Sequence, residues 1–161
     1  MSKAFVREPD GEVPGQLPEI PVPPGPNPVT AEGHTRIVTA LDAIERRLAD
    51  EGGLPERADA DRLHRERRYW TARLATARIT APPADPHEVG FGSQVTVAWP
   101  GRGQVVLHIV GDDEADPTRG LIGWRAPVAA ALIGSGMGDD VTVPLAGRDV
   151  PLVVLAVRNQ Q

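Results

Sequence analysis

Two adjoining charge clusters near the middle of the chain carry residue types that could do chemistry. From Asp50 to Asp61 there are five carboxylates (Asp50, Glu51, Glu56, Asp59, Asp61) against one base, Arg57. From Arg62 to Ile79 there are six arginines against one acid, Glu66. Carboxylate oxygens are what Mg²⁺ takes as ligands, usually one or two of them with water completing the shell. Guanidinium groups in a row neutralise the phosphates of a nucleic acid. Arg62, Arg65 and Arg68 stand three apart and so share one helix face. The pattern reads as an acidic tip that reaches a metal, beside a basic flank that lies along phosphates. It reads equally as ordinary helix design, since acids near a helix N-terminus stabilise it by about 0.3 kcal/mol or more each.

The elements that carry these clusters are two helices. Thr30 is a good N-cap, with Glu32 in the first turn. His34, Ile37, Leu41, Ile44 and Leu48 follow at alternating spacings of three and four, a heptad seam. Gly52-Gly53-Leu54-Pro55 ends that helix, and Asp59 or Asp61 is positioned to cap a second. The second seam is Leu63, Arg67, Trp70, Leu74 and Ala77, stopped by Pro82-Pro83. Two apolar seams joined by a short loop predict an antiparallel coiled-coil hairpin over residues 30–80. Each arm of about 20 residues is about 30 Å long. Arg67 interrupts the second seam; its stem packs while its guanidinium snorkels outward, toward Glu45.

Residues 1–29 read as a tail. Eight of the 17 prolines fall before Thr30, and proline lacks an N–H and fixes φ. The stretch from Leu17 to Pro28 is expected to be extended, polyproline-II-like and mobile, as a spacer or as a docking peptide. Residues 81–91 are a linker, and residues 92–161 form a small β-rich domain. Ser93–Trp99 alternates as a strand should, Pro100–Gly103 turns, and Gln104–Val110 returns. Ala126–Ile133 is a short apolar helix opened by Pro127 and ended by Gly134. Two further strands run Asp140–Pro144 and Pro151–Val157. The fold class is therefore α+β: a two-helix hairpin followed by a small sheet with one short helix on its face.

Composition narrows the function classes. In 161 residues, 40% hydrophobic and 24% charged, the net charge is -5, which argues against a generally basic protein that coats DNA. There is no cysteine, hence no disulfide frame and no thiolate chemistry. No apolar run is long enough to cross a bilayer and the N-terminus has no signal-like core, so a cytoplasmic protein with no membrane partner is expected. His34, His64, His87 and His108 show no ligand spacing, and Gly134-Ser135-Gly136-Met137-Gly138 lacks the Lys-Ser/Thr of a phosphate cradle.

Four ordered blocks carry a resemblance. They are Gly92-Ser93-Gln94-Val95-Thr96-Val97; Ile109-Val110-Gly111-Asp112-Asp113-Glu114-Ala115-Asp116; Arg125-Ala126-Pro127-Val128-Ala129-Ala130-Ala131-Leu132-Ile133-Gly134; and Gly138-Asp139-Asp140-Val141-Thr142-Val143. In these blocks the third segment resembles the C-terminal domain of the Gre transcript-cleavage and elongation factors, and the Thr30-Ala31-Glu32-Gly33 opening looks like that family's N-terminal start. The Pro-rich tail and short arm are similar to a subgroup with a shortened coiled coil. The resemblance implies an FKBP-like C-terminal domain. It implies a monomer that binds bacterial RNA polymerase at the rim of the secondary channel through the loop Trp124, Arg125, Ala126 and Pro127. It implies an arm that reaches toward the polymerase active site, with the flank Arg62, Arg65 and Arg68 facing nascent RNA. It also implies a protein that is not itself an enzyme and has no cofactor or stably bound metal of its own. The tip acids Asp50, Glu51 and Glu56 would then help hold a polymerase Mg²⁺ that activates water against backtracked RNA.

The tip departs from the family pattern. Where the family reads Gly-Asp-Leu-Ser-Glu-Asn, this chain reads Gly52-Gly53-Leu54-Pro55-Glu56-Arg57. Gly53 replaces the Asp, the arms are shorter, and the Ser of the family's Ser-Pro pair is Ala126. Two other readings compete: a non-catalytic adaptor or inhibitor of polymerase, and a prolyl isomerase. Fold alone warrants the isomerase weakly, and it would need a pocket built from Phe91, Trp99 and Trp124.

Overall fold

The computed structural model describes residues 17–50 and 57–159. Strand β1 (Asn27–Val29) leads into helix α1 (Ala31–Ala49), and helix α2 (Arg57–Thr76) returns into strand β2 (Ala77–Ile79). Helix α1 starts where expected: Thr30 is extended, and its hydroxyl accepts from the Gly33 N–H at 3.0 Å. Glu32 in the first turn and Arg46 and Arg47 in the last both suit the helix dipole. The two seams face each other. Ile37 and Ile44 of α1 and Leu63 of α2 are buried, while Leu41, Leu48, Trp70 and Leu74 are half-buried. Arg67 is exposed, and among the described residues it makes no ion pair with Glu45.

The ends of α2 differ from expectation. The helix is already under way at Arg57, so Asp59 sits in its first turn rather than at its cap. It stops at Thr76, and Ala77, expected in the seam, opens β2 instead. β2 pairs in parallel with β1 in the register Asn27↔Ala77, Pro28↔Arg78 and Val29↔Ile79. The last three residues expected in a mobile tail thus belong to the base of the hairpin. The fixed φ of Pro28 suits a strand, and in a two-stranded ribbon its missing N–H falls where no partner strand is needed. Val29 is buried at 2% exposure, and its carbonyl accepts from the Thr80 N–H at 3.0 Å.

The rest is one sheet domain. It contains β3 (Gln94–Trp99), β4 (Gly103–Val110), β5 (Leu121–Gly123), helix α3 (Pro127–Leu132), β6 (Asp140–Leu145) and β7 (Arg148–Arg158). The strand order is β5-β4-β3-β7-β6, antiparallel except for the β4–β5 pair. Alternation decides the inner face: Val95 and Val97 of β3, Ile109 of β4, Val143 of β6, and Leu152 and Val154 of β7 all point into the core against Leu132 of α3. Four strands and α3 lie within a few residues of their expected bounds. Three-residue β5 is too short to show a period. The expected linker is stitched into this domain: Val89 is fully buried, donates to Ser135 O at 2.8 Å and accepts from the Gly134 N–H at 2.8 Å.

Candidate functional site at the hairpin base

The turn after β4 sends three consecutive carboxylates into the base of the hairpin. Asp112–Glu114 form a single 3₁₀ turn. Glu114 is 4% exposed, and its carboxylate accepts from the Gly111 N–H at 3.0 Å, from the Thr30 N–H at 3.2 Å and from the Thr30 hydroxyl. A charge buried this way is tolerable only because hydrogen bonds surround it. It also lies at the positive end of α1. Gly33 makes the approach possible, since a Cβ there would stand 2.2 Å from the Glu114 carboxyl.

Asp113 binds the other helix. Its Oδ2 lies 2.6 Å from Nε of Arg73, and its Oδ1 accepts from the hydroxyl of Tyr69. Arg73 is 1% exposed; its Nη2 donates to Asn27 Oδ1 at 2.6 Å, and Asn27 Nδ2 donates back to the Arg73 carbonyl at 2.9 Å. Burial and the bond to Asp113 push the Tyr69 hydroxyl up to about 12. Asp112 faces two guanidinium groups, Arg73 at 3.7 Å and Arg125 at 3.4 Å. One acidic turn therefore joins β1, both helices and the loop before α3.

That loop is the expected docking segment. Trp124 donates its backbone N–H to Val110 O at 2.9 Å, and Arg125 stacks on the Trp124 ring with its guanidinium carbon 4.9 Å from the centroid. Arg125 also donates to the carbonyl of Pro26 at 2.9 Å. Ala126 stands at the N-cap of α3 without a side-chain bond, and Pro127 is the first helical residue. Beside the loop runs a groove of about 620 Å³ walled by Pro26, Ala75, Arg78, Phe91, Trp124 and Ile133. Among the described residues the indole N–H of Trp124 is buried without a hydrogen-bond partner. The groove brings Phe91 and Trp124 together but not Trp99, whose ring is covered by Arg102 at 5.0 Å.

Asp50 is the exposed C-cap of α1, at the arm's far end, while Glu51 and Glu56 lie outside the described residues. Among the described residues no group of three or more acidic or histidine side chains could hold a metal ion. The expected phosphate-facing arginines are engaged within the chain. Arg62 pairs with Asp59 at 3.5 Å and Glu66 at 3.3 Å. Arg65 donates to the Pro18 carbonyl at 3.2 Å, and Arg68 grips the Glu19 carboxylate through two nitrogens. The Arg68 hydrogen bond holds the Glu19 carboxyl below its ordinary range.

Arg73 is one of the six arginines between Arg62 and Ile79, yet it is the buried cation of the junction. Its signal was positional: it lies three residues after Trp70 and directly before Leu74, on the seam side of α2. Asp113 lies in the Ile109–Asp116 block, whereas Asn27 and Tyr69 carry no comparable signal.

Residues 84–159 match a family described as "Transcription elongation factor, GreA/GreB, C-term". The transcription elongation factor GreA of Nitratiruptor sp. is 30% identical, the match covering 81% of this chain and 91% of that protein. GreA of Alkalilimnicola ehrlichii is likewise 30% identical, covering 81% of this chain and 96% of that protein. Among solved structures, GreA factor homolog 1 of Thermus thermophilus aligns over 84% of this chain and all of the other, at 19% identity and a TM-score of 0.40.

Proposed function

Since the chain belongs to the GreA/GreB family of transcription elongation factors, we propose that it binds bacterial RNA polymerase at the rim of the secondary channel and modulates elongation by inserting its helical arm. The observation that carries this reading is the shared carboxylate of Asp112, which faces Arg125 of the loop at 3.4 Å and Arg73 of α2 at 3.7 Å. A loop that grips the rim and an arm that enters the pore must keep a fixed angle, and here both hang from one half-buried turn. Arms of 19 and 20 residues reach about 30 Å from that base.

The protein does no bond chemistry of its own in this reading. Carboxylates at the tip (Asp50, Glu51, Glu56) are the donor type that Mg²⁺ accepts, and they would complete the shell of a polymerase-held ion. Such an ion would supply activated water for cleavage of backtracked RNA. The replacement of the family's Asp by Gly53 favours a second outcome, in which the arm occupies the pore and regulates access to it without assisting cleavage.

Co-purification with RNA polymerase tests the binding. The full chain is expected to be retained and Trp124→Ala to be lost; no retention at micromolar concentration overturns the proposal. A cleavage assay on backtracked complexes with Glu56→Gln separates the two outcomes: loss of stimulated cleavage assigns Glu56 to it, and no stimulation by either form assigns the arm to regulation alone.

A further inference from the structure

The N-terminal segment lies on the arginine face of α2. Arg68 holds Glu19 through Nε, 3.1 Å from Oε2, and through Nη2 on Oε1, while Arg65 Nη1 donates to the Pro18 carbonyl at 3.2 Å. Leu17 and Glu19 wall a groove of about 380 Å³ with Asp61, His64 and Arg68. Further along, the segment is held again where Arg125 bonds the Pro26 carbonyl.

Three features distinguish this contact from a structural strut. The pair is open to water, with Arg68 55% and Glu19 64% exposed, so it is screened by salt and worth little to folding. The fork by which Arg68 holds a carboxylate is the one by which arginine holds a phosphate. And the segment does not satisfy the face it covers, since Nε of Arg65 is buried with no hydrogen-bond partner among the described residues. A carboxylate at one position and a neutral carbonyl at the next leave that donor idle. A phosphodiester backbone offers anionic oxygens at successive positions.

The Arg65–Arg68 face of α2 belongs to the flank that the family resemblance turns toward nascent RNA; we propose that Leu17–Glu19 occupies this face in the free protein as an intrachain competitor of RNA backbone phosphates. RNA must displace the segment to bind, and the segment sets the affinity. This rests on the reading that the arm works beside nascent RNA, but its test needs no polymerase. Loss of polymerase binding would therefore sink the reading above and leave the RNA result standing.

The test is fluorescence anisotropy of a labelled single-stranded RNA titrated with the full chain at low salt. Glu19→Ala is expected to tighten binding by about threefold, the scale of an exposed ion pair. Arg65→Ala with Arg68→Ala is expected to abolish binding, and Glu19→Ala made in an Arg68→Ala background is expected to change nothing. Affinity is expected to fall with rising salt as counterions are released. Unchanged or weaker RNA binding by Glu19→Ala overturns the proposal. So does RNA binding that survives loss of both arginines, or no RNA binding by any form.

Discussion

Nε of Arg73 stands 2.6 Å from Oδ2 of Asp113, across 40 residues of sequence, with the arginine 1% exposed. This pair is the central tie between hairpin and sheet domain. Each ion has further partners, Asn27 and Asp112 for the cation and Tyr69 for the anion. Such a network stays favourable only while complete, because removing one member strands the others without water.

Arg73→Ala is expected to destabilise the fold by about 3–5 kcal/mol, the cost of leaving a buried charge unpaired. Arg67→Ala, six residues earlier and exposed, is expected to stay within about 0.5 kcal/mol. Urea denaturation of the two variants makes the comparison. Arg73→Lys is expected to fall with the alanine variant, since an ammonium cannot reproduce the fork that reaches both Asp113 and Asn27.

Tyr69 is the one tyrosine of the chain, so its ionisation can be read directly from tyrosinate absorbance. Its hydroxyl is expected to titrate near 12 in the folded protein, against about 10 when unfolded. The raised value means that the folded state holds the proton more tightly. The associated stability is fully present below about pH 10 and is lost as pH rises toward 12. Asp113→Asn is expected to lower the midpoint, although burial, the larger cause, remains.

Gly33 inverts a common rule. A helix-interior glycine usually gains about 1 kcal/mol of stability on replacement by alanine. Here the new Cβ would lie 2.2 Å from the Glu114 carboxyl, which is fixed by Thr30 and Gly111. Gly33→Ala is expected to lower stability by about 1–3 kcal/mol, the cost of disturbing hydrogen bonds to a buried charge. Thermal unfolding of the variant checks the sign.

Ala126 offers a gain. It occupies the N-cap of α3 in an extended conformation with no side-chain bond. Ala126→Ser would supply the missing acceptor and is expected to stabilise the protein by about 1 kcal/mol, measurable as a higher denaturation midpoint.

The hairpin and most of the sheet were legible in the sequence because they rest on periodicity. Ile37 and Ile44 recur at seven, and Val95 and Val97 at two. The junction was not legible, because it rests on pairings between residues far apart in the chain: Asn27 with Arg73, Thr30 with Glu114, Tyr69 with Asp113. Two motif blocks singled out on sequence, Thr30–Gly33 and Ile109–Asp116, turn out to be the two sides of that contact. The partners of the basic flank are hidden in the sequence for a related reason. Charge spacing along α2 shows which arginines share a face, but not that Pro18 and Glu19 lie on it or that Arg73 faces inward.

The parallel pairing of β1 with β2 sets the hairpin's first and last residues side by side, Asn27 against Ala77. Everything between leaves from and comes back to a single footprint. Arm length is thus decoupled from attachment, as in a telescoping rod on a fixed mount. One heptad added to each helix would move the tip outward by about 10 Å without altering a contact at the foot, so reach is a quantity that descent or engineering can vary while the grip on the mount stays constant.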